Sequence, residues 1–168
     1  QIRFEREDIV RTASQMNRPL SAAEEERLAR LYDKKVESFL DAGHGACWMK
    51  RDNIARIVAE ALLHFDGQRY WLHAWSVMPN HVHVVMEPIA DHKLSDILHS
   101  WKSFTAKAAN KILRRKGEFW QPESYDHLIR DQEDLNHAVA YVLSNPIKAG
   151  LYAWKWVGRV RDGGRRSG

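Results

Sequence analysis

The chain predicts an α+β fold: an antiparallel sheet with helices packed on one face. Two strand-like runs, Arg69 to Val77 and His81 to Glu87, are separated only by Met78-Pro79-Asn80, a spacing that suits an antiparallel hairpin. Apolar residues recur at helical spacing in the segments that flank this hairpin. The resulting order is helix, strand, helix, strand, strand, helix, short strand, helix.

The first helix starts at a capping box. Ser21 stands three residues before Glu24, so each side chain can accept from the other's backbone N–H. Leu28, Leu31, Tyr32 and Phe39 give an apolar side to a helix from about Ala22 to Leu40, which Asp41-Ala42-Gly43-His44-Gly45 stops. Ala46 to Met49 reads as a short strand. Asp52 is placed to cap a second helix, Asn53 to Phe65, with Ile54, Ile57, Val58, Ala61 and Leu62 inward. Asp66-Gly67 is a turn before the hairpin. Leu94, Ile97, Leu98, Trp101, Phe104 and Ala108 mark a third helix from Leu94 to about Arg115, ended by Gly117, and its other side carries Lys107, Lys111 and Arg114. Tyr125 to Arg130 reads as a short strand. Asp131 caps a fourth helix to about Ser144, and Asn145-Pro146 closes it, because proline excludes a helical hydrogen bond and pushes its predecessor out of helical geometry. The Gly- and Arg-rich tail has the composition of a disordered basic segment. One domain over 1–158 and a tail over 159–168 are expected.

Composition narrows the class of protein. With 168 residues, 44% of them hydrophobic and 29% charged, the chain can bury a real core. No run approaches the roughly 18 apolar residues of a membrane span, and the N-terminus lacks the apolar core of a secretory signal. One cysteine, Cys47, excludes an internal disulfide framework and fits a reducing compartment, so a cytoplasmic location is expected. A net charge of +4 and a pI near 9.3 are compatible with a polyanionic partner. The seven tryptophans suit a core for the most part, with base stacking as the other use.

The chemistry gathers at His81-Val82-His83. Residues i and i+2 of a strand share a face, so both imidazoles can reach one ion while Val82 turns to the core. The pair reads either as half of a metal site or as two ordinary histidines on a half-exposed strand, one of them held by a backbone carbonyl. An ion used in phosphoryl chemistry takes about six ligands, so a third protein ligand is required besides water or phosphate oxygen. On the fourth helix, His137, Tyr141 and Asn145 lie at i, i+4 and i+8 on one polar stripe. Tyr141 falls about 130° from the centre of the buried side, at roughly 100° per residue. Periodicity leaves two readings of Tyr141, a phenol aimed into a cleft or a boundary tyrosine, and it leaves Asn145 as a helix terminator. A phenol beside a metal-bound phosphate has a defined use: it can attack a phosphodiester and hold it covalently.

Beyond these local arguments, Met78-Pro79-Asn80-His81-Val82-His83, Trp101-Lys102-Ser103-Phe104-Thr105, Phe119-Trp120-Gln121, Asp126-His127-Leu128-Ile129-Arg130 and the run from Tyr141 to Leu151, Tyr-Val-Leu-Ser-Asn-Pro-Ile-Lys-Ala-Gly-Leu, occur in that order. Together they resemble the REP-associated tyrosine transposases, bacterial single-tyrosine HUH endonucleases, over about Leu40 to Trp156. The resemblance implies a ferredoxin-like core with the HUH strand central, Mg²⁺ or Mn²⁺ as cofactor, hairpin-bearing single-stranded DNA as partner, and a 5′-phosphotyrosine intermediate. It implies His81 and His83 as metal ligands, Tyr141 as nucleophile ahead of Tyr125, and Asn145 as the third ligand. His127 and Arg130 become candidate phosphate contacts, Lys102, Lys107, Lys111 and Arg114 form either a strand-tracking surface or an ordinary solvated helix face, and a DNA-acting protein is expected to be nucleoid-associated. The family's aromatic first strand has no counterpart between Gln1 and Leu20 beyond Ile2 to Phe4, so the sheet is expected to lack it, and a trimmed start would account for that.

The expected activity is therefore metal-dependent nicking and strand transfer on repetitive hairpin DNA. The alternative is a domesticated protein that binds such hairpins without cutting. A histidine-triad hydrolase would need a further His at position 85, which is Val. The sequence does not choose between monomer and homodimer.

Overall fold

The computed structural model describes residues 46–121, 124, 126 and 128–160, together with Ser21 and Ala23. The chain divides after Gly45 into two units, and the second holds every element discussed below. The expected first helix lies outside the described residues apart from Ser21 and Ala23, as do Tyr125 and His127.

A 3₁₀ turn, Trp48–Lys50, leads into α1, Asp52–His64. Strands β1, Tyr70–Val77, and β2, Val82–Pro88, form the expected hairpin. Helix α2 is Leu94–Leu113 and α3 is Gln132–Lys148, and the short β3, Val157–Arg159, follows. Among the described residues the sheet has three strands in the order β2-β1-β3, antiparallel throughout. This is the expected mixed α and β architecture, with one strand fewer among the described residues than the resemblance implies. β1 is the central strand and β2, which carries the histidine motif, has one described neighbour.

The two sheet faces bury different residues, and a β-bulge decides which. Leu72 pairs with Met86 but Ala74 pairs with Val85, so His73 is an extra residue in β1. One inserted residue shifts the period-2 alternation by one. Tyr70 and Leu72 before the bulge, and Trp75 and Val77 after it, therefore share one face with Val82, Val84 and Met86, against Ile54, Val58, Leu62, Ile97 and Trp101 of α1 and α2. Ala74, with Val85 of β2, occupies the other face, against Val139 and Val142 of α3. Expected placement on one face holds for α1 and α2, while α3 takes the opposite one. A helix whose apolar residues are Leu135, Ala138, Val139 and Val142 needs a surface of its own, and the bulge supplies it.

Three local expectations change. Ala46 to Met49 is not a strand: Lys50 N donates to Cys47 O and Arg51 N to Trp48 O, which closes a 3₁₀ turn. Asp52 is the first residue of α1 and Arg51 its cap; the Asp52 carboxylate instead accepts from Lys155, Arg56 and Trp156, with Lys155 Nζ 2.7 Å away, and this holds it below the usual carboxylate range. Asp126 and Leu128 to Arg130 form no strand.

β3 was not foreseen. Val157 to Arg159 pair with Ser76 to Ala74, and Val160 N donates to His73 O, so the sheet runs past the expected start of the tail. Gly158 lies against the Trp75 ring, where an added Cβ would stand 3.0 Å from three ring atoms, so close that the ring would have to give way by a few tenths of an ångström.

Most tryptophans serve the core, as expected. Trp101 Nε1 donates to Tyr70 Oη (3.1 Å), and Tyr70 Oη donates to Leu62 O (2.8 Å), a buried chain linking α2, β1 and α1. The Trp101-to-Thr105 and Phe119-to-Gln121 motifs dock on each other: Trp120 Nε1 donates to Thr105 Oγ1 (2.8 Å) and Lys102 Nζ to Gln121 O (3.0 Å).

Candidate active site

The site forms where β2 faces α3. His83 pairs with Ser76, so the register sends its ring to the α3 side, and His81 precedes it by two. Both side chains are half-buried. Their Nε2 atoms converge to 2.9 Å, with the rings edge to face at 4.6 Å between centroids. His81 Nδ1 lies 2.8 Å from Asn80 Oδ1. Burial first, and the neighbouring His83 second, push the His81 pKa down from 6.5 to about 3. His81 is therefore neutral at pH 7 and keeps a lone pair for an electrophile.

Helix α3 brings the other two groups. Asp131 caps it by accepting from Asp134 N (2.9 Å), and Asp134 Oδ2 accepts in return from Arg130 N (3.2 Å). Val139 and Val142 fix the rotation of the helix on the sheet, and the stripe of Tyr141 and Asn145 falls beside β2. The Tyr141 ring meets His83 edge to face, with 5.4 Å between centroids. The Asn145 carboxamide lies 3.2 Å from His83 Nε2 and is 6% exposed.

Asn145 corrects the terminator reading. The helix does not close there but runs through Pro146 to Lys148. Pro146 sits in the last turn, where the chain is about to leave the helix, and its ring is fully buried. Ala149 N donates to Asn145 O and Leu151 N to Pro146 O, which completes the turn without the missing N–H. Asn145 thereby stays in helical register one turn beyond Tyr141.

Three donors thus meet: two imidazole nitrogens and one carboxamide. Adjacent ligands on an octahedral ion with bonds near 2.1 Å lie about 3.0 Å apart. The separations, 2.9 Å between the imidazole nitrogens and 3.2 Å from His83 Nε2 to Asn145 Nδ2, are hydrogen-bond distances close to that spacing. A carboxamide turned end for end presents Oδ1 in place of Nδ2 at the same position. No third His, Cys, Asp or Glu joins the pair among the described residues. The set of nitrogen and neutral oxygen donors fits a divalent cation that keeps places for water or phosphate oxygen.

The other expected residues fall elsewhere. Lys107, Lys111 and Arg114 are exposed and line one open groove of about 560 Å³ with Arg115 and Lys116. Arg115 braces that groove, donating to Asn110 Oδ1 and Glu118 O. Lys102 is not on it, being engaged with Gln121. Arg130 is exposed at the start of α3. Two residues near the site were not singled out from sequence. Asn80 touches His81, and Lys148, seven residues after Tyr141, holds Nζ 4.9 Å from the Tyr141 ring centre. For Asn80 the adjacent position was the signal; for Lys148 it was the i, i+7 spacing.

The antiparallel sheet, with its His-hydrophobe-His strand facing a helix, is consistent with the HUH fold that the resemblance implies. The family model described as "Transposase IS200 like" matches residues 50–145, more than half of the chain, and the protein belongs to that family. The REP-associated tyrosine transposase of Escherichia coli (strain K12) is 33% identical over 96 residues, covering 54% of this chain and 50% of that protein. A putative REP-associated tyrosine transposase of Haemophilus influenzae is 30% identical over 84 residues, covering 44% and 48%. The chain spans about half the length of the curated relatives it matches. No solved structure matches it.

Proposed function

We propose that this domain nicks and rejoins single-stranded DNA, with Tyr141 as nucleophile. The observation that carries the reading is the contact of the Tyr141 ring with His83, on the side where His81, His83 and Asn145 converge, all from one chain. Those three residues would hold Mg²⁺ or Mn²⁺, which polarises a phosphate and offsets the charge that builds on it. Tyr141 Oη attacks phosphorus, forming the Tyr–O–P bond as the bond to the neighbouring nucleotide's 3′-oxygen breaks. The phenol gives up its proton and the departing 3′-oxygen takes one, so the step balances. The product is a 5′-phosphotyrosine and a 3′-hydroxyl, and a second 3′-hydroxyl reverses the step, which makes the reaction a transfer. His83 at the ring edge fixes the direction of the phenol. Lys107, Lys111, Arg114 and Lys116 offer phosphates of a hairpin substrate a basic groove.

Tyr141→Phe tests this directly. Wild-type protein with Mn²⁺ and hairpin-bearing single-stranded DNA forms an adduct that survives denaturing electrophoresis, and the variant forms none. Absence of an adduct with wild type across REP-type hairpins removes the transferase reading and leaves a non-cutting hairpin binder.

A further inference from the structure

We propose that Asn80 is a positioning residue: it sets the tautomer of His81, so that the ring presents a lone pair at Nε2. The inference rests on the metal-site reading above, but it concerns the hydrogen on one ring and can be tested without metal.

A neutral imidazole carries one N–H, on Nδ1 or on Nε2. Only the first tautomer can donate electrons from Nε2. His81 Nδ1 stands 2.8 Å from Asn80 Oδ1, and a carboxamide oxygen only accepts, so this amide orientation calls for the hydrogen on Nδ1. The lone pair is then on Nε2, the atom that converges on His83 Nε2 at 2.9 Å. With the amide turned the other way, its NH₂ would donate to Nδ1 and force the hydrogen onto Nε2, closing the ligand position. The orientation of one carboxamide thus separates a competent site from a blocked one. A second-sphere acceptor of this kind also raises the basicity of its imidazole.

The backbone holds Asn80 in place. Met78 N donates to His81 O (2.8 Å) across the bend, and Met49 N donates to Pro79 O (3.0 Å) from the 3₁₀ turn. The Met78 side chain is buried beside Ser76, with Ser76 Oγ 3.4 Å from its sulfur. Adjacent strand residues point to opposite faces, so Asn80 could not reach His81 from within β2. It reaches because β2 begins only at Val82 and Asn80 lies in the bend.

The test uses metal-free full chain at pH 7.5 with ¹⁵N-labelled histidine. Long-range ¹H–¹⁵N correlation reads the His81 tautomer, and titration calorimetry reads Mn²⁺ affinity. Wild type shows the hydrogen on Nδ1. Asn80→Ala shifts His81 toward the Nε2–H form and weakens Mn²⁺ binding at least tenfold. Asn80→Asp, which can only accept, keeps the Nδ1–H form and binds Mn²⁺ as tightly as wild type or more so. Hydrogen on Nε2 in wild type, or an Asn80→Ala protein with unchanged tautomer and affinity within twofold, overturns the proposal. If Asn80→Ala does not fold, an Nε2–H tautomer in Asn80→Asp overturns it alone. Wild type with the Nδ1–H ring and no Mn²⁺ binding would sink the metal reading and leave the role of Asn80 standing.

Discussion

Acid should destabilise this domain through His81, and the size of the effect follows from its surroundings. The folded ring titrates near 3, because burial penalises the cation and His83 lies alongside. The unfolded ring titrates near its ordinary value of 6.5. The folded pKa is the lower one, so the fold refuses a proton that the unfolded chain accepts. The contribution is complete above about pH 6.5 and is lost progressively as pH falls toward 3. At pH 5 the unfolded ring lies 1.5 units past its midpoint, which at 1.36 kcal/mol per unit is roughly 2 kcal/mol.

The perturbation that isolates this term is His81→Gln, which keeps reach and polarity and removes the titration. Urea unfolding of both metal-free proteins, followed by tryptophan fluorescence, gives their stabilities at pH 7.5 and pH 5.0. Wild type should lose about 2 kcal/mol more than the variant over that interval, a midpoint difference on the order of 1 M urea. Equal losses in the two proteins would refute the argument, because they would place His81 in water-like surroundings. Mn²⁺ adds a second readout. An ion that binds only the folded, deprotonated site should raise wild-type stability more at pH 7.5 than at pH 5.0.

Three further outcomes are expected. Asn145→Asp should tighten Mn²⁺ binding and Asn145→Ala should weaken it about tenfold in calorimetry, since a carboxylate is a stronger ligand than a carboxamide and alanine offers none. Replacing Lys107, Lys111 and Arg114 by Gln should lower the slope of log K against log salt for single-stranded DNA by about 2, since each phosphate that a cation neutralises contributes roughly 0.7; an unchanged slope would show that the groove is an ordinary solvated surface. Tyr70→Phe should cost about 1–3 kcal/mol in chemical denaturation, because the buried Trp101 N–H loses its acceptor.

Sequence patterning identified the elements that use one rule at a time. The hairpin, the apolar faces of α1 and α2, and the Asp131 cap each follow from spacing or from one side chain. The rest depended on two rules meeting. Alternation across Arg69 to Val77 gives no sign that His73 is an extra residue, because a bulge is set by the register of the partner strand. β3 is three residues long with a central glycine, too short for periodicity, and exists because β1 has an edge to fill. Pro146 argued for a helix end at Ser144, but its buried ring and the bonds to Ala149 and Leu151 sustain one more turn. That turn keeps Asn145 in the helix and puts its carboxamide beside His83.

The resemblance placed the HUH strand at the centre of the sheet, whereas among the described residues β2 has a single neighbour. Its register rests on the ladder with β1 and on packing against both faces. Val82, Val84 and Met86 pack toward α1 and α2, and Val85 is buried against α3. A slip of one residue would exchange the two sets and turn His81 and His83 away from Tyr141. Alternating apolar residues on β2 are therefore what holds the imidazoles on the tyrosine side. The bulge at His73 is what lets β1 present a matching alternation on each face.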